Sequence, residues 1–158
     1  MSRLESMGRR IKAQIDGLNW AARAVADVTG DVLELGLGNG RTYDHLRQEL
    51  PDRPIWVIDR VLQAHASCVP PAGNFLQGEA EPMLQLLAKR GVRIALAHYE
   101  FGIGDDVHDA AEAIRLSPLV ATLMVPDGIV VSQQKLVGMR PLDGPDSIAP
   151  DRYNFYRA

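Results

Sequence analysis

The chain has 158 residues, 46% hydrophobic and 23% charged, with a formal net charge of -3 at pH 7. That length suits one domain with a single substantial core, the mixture is globular rather than disordered, and the negative balance argues against a surface that coats nucleic acid. The lone cysteine, Cys68, rules out an intramolecular disulfide and a cysteine-based metal site.

The first 17 residues, MSRLESMGRRIKAQIDG, are charged throughout and lack the apolar stretch of a signal peptide. No apolar run approaches the roughly 20 residues that cross a bilayer, so a soluble cytoplasmic protein without membrane contact is the expectation. Leu4, Met7, Ile11, Ile15, Leu18, Ala22 and Val25 recur at steps of three and four, the stripe of an amphipathic helix. Thr29-Gly30-Asp31 breaks it, and VLEL (32–35) reads as a short buried strand. After a glycine cluster, Tyr43, Leu46 and Leu50 recur at helical spacing until Pro51 ends the run.

IWVID (55–59) and NFLQG (74–78) are the second and third strands. Pro82 fits the first turn of a helix carrying Met83, Leu84, Leu86 and Leu87 and closing at Lys89, Arg90 and Gly91. VRIALAHY (92–99) is a fourth strand, and 106–116 and 118–124 read as two helical stretches. Pro126-Asp127-Gly128 then turns into a fifth strand, GIVVSQQ. The final 25 residues, with three prolines and two glycines, settle only at RYNFY, a final strand. Short apolar strands alternating with helices imply a doubly wound α/β fold, a mostly parallel sheet with helices on both faces, abbreviated at the C-terminus. No linker or repeat divides residues 1–158, so one domain with an N-terminal helical arm (1–28) is expected. In such sheets ligands lie at the carboxyl ends of the strands, where strand order reverses.

The glycine cluster reads Glu34-Leu35-Gly36-Leu37-Gly38-Asn39-Gly40. Glycines at a strand-to-helix turn permit positive φ and a close approach of ligand to backbone. The dinucleotide fingerprint G-x-G-x-x-G does not fit, because the third glycine comes one residue early and Arg41 stands in its place. The phosphate loop G-x-x-x-x-G-K-[ST] is absent too, and Glu34 would repel a phosphate while suiting a cationic amino-acid ligand. This stretch resembles motif I of the class I (Rossmann-like) S-adenosylmethionine-dependent methyltransferases, an acidic residue followed by G-x-G-x-G.

Asp59, 19 residues after Gly40, stands where that family carries the acidic residue that binds both ribose hydroxyls. LQGEAEPML (76–84) is similar to the family's third-strand loop, where Glu79 would accept from the adenine amine and the Ala80 N–H would reach a ring nitrogen. The resemblance implies S-adenosyl-L-methionine as cofactor, held by Glu34, Gly36, Gly38, Asn39, Gly40, Asp59, Glu79 and Ala80.

Methyl transfer from a sulfonium is an in-line displacement in which the protein chiefly aligns the reactants, with a general base where the acceptor must lose a proton. The end of the fourth strand supplies the catalytic candidates His98, Tyr99 and Glu100, followed by Asp105 and Asp106. His98 is the favoured base, because its ordinary pKa lies nearest working pH; a hydrogen-bonded structural role is the other reading of His98 and Tyr99. Phe101 and Tyr99 could also wall the adenine or the acceptor. HYEFG stands where base and glutamine N-methyltransferases carry an Asn-Pro-Pro-Tyr-type motif. The fifth strand lacks the acidic-Asn pair of metal-dependent catechol-type enzymes, and the four histidines are scattered, so no metal is expected. The short chain implies a small-molecule acceptor or a site completed by another subunit. The 4–25 stripe could cap the cofactor pocket or join a partner helix in a homo-oligomer, while Arg9, Arg10 and Lys12 read as a solvated face. Two alternatives stand beside the enzyme: a protein that binds S-adenosylmethionine or S-adenosylhomocysteine without turnover, as sensor or subunit, and a nucleotide-dependent oxidoreductase, which the early third glycine disfavours.

Overall fold

The computed structural model describes residues 1–158. In chain order its elements are α1 (Arg3–Ala24), β1 (Asp31–Leu35), α2 (Arg41–Glu49), β2 (Ile55–Asp59), β3 (Phe75–Gln77), α3 (Ala80–Lys89), β4 (Ile94–Tyr99), α4 (Asp106–Leu123), β5 (Met124–Ser132), β6 (Arg140–Leu142) and β7 (Asn154–Arg157). The strands form one sheet in the order β3-β2-β1-β4-β5-β7-β6. β1 to β5 run parallel, and β7 and β6 close the edge antiparallel. The chain lays β2 and β3 to one side of β1 and then returns to its other side as β4, so strand order reverses between β1 and β4. The crevice of such a sheet opens there, at the carboxyl ends.

Two apolar layers cover the sheet. On one face Leu18 and Ala21 of α1, Val25 at its C-cap, and Tyr43 and Leu46 of α2 bury against Val32, Val57, Leu96 and Ile129. On the other, Leu84 and Leu87 of α3 and Leu116, Val120 and Leu123 of α4 bury against Leu33, Leu35, Ala97 and Val130. α1 starts with a capping box: Ser2 Oγ accepts from the Glu5 N–H, and the Glu5 carboxylate accepts from the Ser2 N–H. No helix is long and apolar enough to cross a membrane.

Four local expectations are corrected. Residues 106–123 form one helix with Pro118 inside it; burial of Leu116 and Val120 on either side outweighs the local cost of the missing N–H. β5 begins at Met124, and Pro126-Asp127-Gly128 is an irregularity within it, where the register against β4 jumps between Ile94↔Met124 and Leu96↔Ile129. β6 pairs with β7, a strand that three residues with a central proline could not announce. The apolar stripe of α1 divides: Leu18 and Val25 pack on the sheet, whereas Leu4 is 79% and Met7 58% exposed.

Candidate active site

A cavity of about 400 Å³ opens at the carboxyl ends of β1, β2 and β4, within the size range of ligand pockets. Its walls come from the loops after those strands, the start of α3, the segment 101–104, the first turns of α4, and Arg10 of α1.

The three motif glycines serve different purposes. Gly36 has φ 90°, and a Cβ there would lie 2.5 Å from the Glu100 carbonyl oxygen; Gly40 has φ 89°, and a Cβ would lie 2.6 Å from Cys68 Cβ. Both are glycine because other protein atoms crowd them. Gly38, at φ 50°, has no atom within 4 Å of where its Cβ would be, and it lines the cavity. Of the three it has open space where a side chain would stand, and so offers bare backbone to a ligand; Gly36 borders the same cavity.

Asp59 ends β2 and lines the same cavity. Its Oδ2 accepts from the N–H groups of Leu37 (2.8 Å) and Gly38 (3.1 Å), and Oδ1 accepts more weakly from Val61 (3.3 Å). The carboxylate therefore fixes the glycine loop and holds an acceptor oxygen beside it. Gly78 N–H donates to the Asp59 carbonyl at 2.9 Å, bringing Glu79 and Ala80 to the same rim. Asn39 is exposed, and Asn39 and Gly40 lie outside the cavity lining.

Glu34 is fully buried and does not line the cavity. It faces His98 across the β1–β4 register, with His98 Nδ1 3.0 Å from Glu34 Oε1, and it accepts from Thr42 Oγ1 at 2.7 Å. His98 is likewise fully buried, and its Nε2 lies 3.1 Å from Glu100 Oε2 at an angle too poor for a hydrogen bond. Burial alone would push the His98 pKa down; the negative charges of Glu34 and Glu100 prevail and raise it to about 10. The ring is thus a buried cation between two carboxylates.

Glu100 lines the cavity but is already occupied. Oε1 accepts from Arg10 Nη2 at 2.6 Å and from Gln14 Nε2, and Oε2 accepts from the Tyr153 hydroxyl. Burial opposes its charge, but His98, Tyr153 and Arg10 hold its pKa down at about 2. Tyr99 is 1% exposed, lines the cavity and lies 4.8 Å centroid to centroid from Phe101. Its pKa is raised by burial and then by Glu112 and Asp109, so the phenol stays neutral.

The fold also gives Arg10 and Asp105 roles other than those expected of them, and adds Asp109 and Tyr153. Arg10, read as a solvated cation, reaches the rim and joins Glu100. Asp109 is 7% exposed and accepts from the Ile103 and Gly104 N–H groups, which shapes the 101–104 wall. Asp105 caps α4 by accepting from the Val107 and His108 N–H groups, and His108 lines the cavity in the first turn of that helix. No local motif marks these positions; only the elements' packing brings residues 10, 100 and 153 together.

A family model described as S-adenosyl-L-methionine methyltransferase matches residues 1–158. The crystal structure of an S-adenosyl-L-methionine methyl transferase from Silicibacter pomeroyi DSS-3 is similar at a TM-score of 0.93 and 31% identity, covering 99% of this chain and 98% of that one. The plantazolicin methyltransferase BpumL, crystallised with a triazolic desmethylPZN analog and SAH, is similar at a TM-score of 0.54 and 14% identity, over 84% of this chain and 47% of that one. That second likeness shows the fold alone. No curated protein matches the chain.

Proposed function

The chain belongs to the S-adenosyl-L-methionine methyltransferase family, and on that premise we propose that it methylates a small-molecule acceptor without a metal ion. It is a methyltransferase enzyme whose cofactor is S-adenosyl-L-methionine. The observation that carries the site reading is the junction of Asp59 with the open glycine, Gly38. A carboxylate anchored by two backbone N–H groups stands beside bare backbone on one cavity wall.

That arrangement fits the cofactor. Asp59 would accept from the ribose hydroxyls, Gly38 would let the ligand close on the backbone, and Glu79 with the Ala80 N–H would meet the adenine. Bound S-adenosyl-L-methionine supplies an activated methyl group on a sulfonium, so the protein's work is alignment and exclusion of water. Glu34 and Gly40 act one layer behind, Gly40 letting the loop pack and Glu34 holding His98, while Gly36 packs under Glu100 at the cavity wall itself.

His98 is a positioning residue in this reading. It keeps its proton between two carboxylates and, lying outside the cavity lining, cannot take one from an acceptor. Glu100 fastens β4 to α1 and Tyr153 and is a poor base at so low a pKa. His108 lines the cavity at the start of α4 and takes the base's place where the acceptor must lose a proton. The metal-independent reading rests on the fifth strand, which ends at Ser132, runs on into Gln133-Gln134 and carries no acidic-Asn pair. A cavity of about 400 Å³ supports the reading of a small-molecule acceptor.

The test is methyl transfer from radiolabelled S-adenosyl-L-methionine to pools of small molecules, with and without chelator. Labelled product from one pool, unaffected by chelator and lowered in kcat by His108→Ala, is expected. Transfer only to protein or nucleic acid, or loss with chelator, would overturn the reading.

A further inference from the structure

The start of α1, residues 3–12, buries no side chain; only Ser6 is even partly shielded, and the first buried residue is Ala13. A helix draws most of its stability from packing its apolar face, yet here that face is bare. Leu4, Met7, Ile11 and Ile15 are all exposed, and at about 100° per residue they fall within an arc of about 80°.

The same segment is basic. Arg3, Arg9, Arg10 and Lys12 stand against one acid, Glu5, which the capping box takes up. Arg10 is paired with Glu100 and Lys12 with Asp16, whereas Arg3 and Arg9 have no partner within the protein. Arg3 flanks the apolar stripe, and Arg9 lies on the polar side of the helix.

Size and charge decide what can cover such a face. The stripe is about 17 Å long and about 10 Å wide, the breadth of one helix; a stable dimer takes roughly 800 Å² from each partner, several times that area. A second copy would also bring Arg3 and Arg9 against the same charges. A lone helix has no groove to seat the side chains of a partner protein, whereas a bilayer offers apolar depth beneath anionic headgroups along a whole plane.

We propose that the N-terminal half of α1 docks the protein on an anionic bilayer surface, with Leu4, Met7 and Ile11 below the headgroups and Arg3 and Arg9 among them. A helix of this kind lies in the interface plane and needs no membrane-spanning run. Arg10, one turn beyond Met7, lines the cavity, so the docked segment borders the candidate active site.

Sedimentation with vesicles tests this. At millimolar lipid and low salt the protein is expected to pellet with vesicles of equal parts phosphatidylglycerol and phosphatidylcholine, and to stay in solution with phosphatidylcholine alone. Leu4→Gln with Met7→Gln should weaken binding about tenfold or more through the lost apolar contact. Arg3→Gln with Arg9→Gln should do the same, each cation near the surface being worth about fivefold. All four positions are exposed, so neither double variant should change Tm. The proposal is overturned if the protein stays in solution with the anionic vesicles, if either double variant binds as well as the wild type, or if phosphatidylcholine alone binds as tightly. A wild-type dimer that Leu4→Gln with Met7→Gln converts to a monomer would overturn it too, by giving the stripe to a second copy.

Discussion

Gly38→Ala and Gly36→Ala separate binding from folding. The first has open space for its methyl and pays only for the left-handed backbone, about 1–2 kcal/mol, so the fold should persist while S-adenosylhomocysteine affinity falls. The second drives a methyl into the Glu100 carbonyl and should lower Tm more, as thermal melts of the two variants would show. The motif and Asp59 were legible because a short stretch of chain sets their spacing. Glu34 was legible as part of the motif, but its orientation was not. On a parallel strand its side chain shares a face with His98, and that pairing turns both inward, away from the ligand. A residue's pKa in isolation favoured His98 as a base; two neighbouring carboxylates, Glu34 on β1 and Glu100 just after β4, weigh against that reading.

α1 is half core and half free surface, and its substitutions should divide in the same way. Leu18 is 1% exposed within the layer over Val32 and Leu96, so Leu18→Ala should cost about 2–5 kcal/mol in urea unfolding. Leu4→Gln should stay within about 0.5 kcal/mol, because that side chain already meets solvent. Periodicity located the helix; it could not tell that sheet contact begins near Ala13. β6 was illegible for a similar reason. Three residues around Pro141 carry no alternation, and the strand exists only because β7 pairs with its other edge.

At the scale of the whole molecule, the reversal of strand order beside β1 places the glycine loop, the β2 carboxylate and the β4 cluster around one crevice. The alternation of strands and helices made that topology readable, whereas the clasp from Arg10 and Tyr153 to Glu100 depends on packing between distant segments. The clasp also predicts a pH profile of stability. The His98 pKa rises from 6.5 to about 10, so its contribution is complete below about 6.5 and fades as pH climbs through about 10. The Glu100 pKa falls from 4.5 to about 2, so its contribution is complete above about 4.5 and fades as pH drops through about 2. Urea unfolding should therefore show greatest stability between these limits, with an alkaline limb no steeper than about 1.4 kcal/mol per pH unit from His98. His98→Gln should flatten that limb and lower stability overall, since it leaves two buried carboxylates short of a cation.

The most direct test of the cofactor site is calorimetric titration of S-adenosylhomocysteine into the wild-type protein and Asp59→Asn. The amide oxygen of asparagine can still accept from Leu37 and Gly38, which preserves the loop, while the carboxylate's second acceptor becomes a donor. Binding to the wild-type protein, weakened about tenfold or more in the variant, which loses only the weak 3.3 Å bond from Val61 and so keeps its fold, is the predicted result. Equal affinity in the two proteins would contradict the placement of the ribose on Asp59.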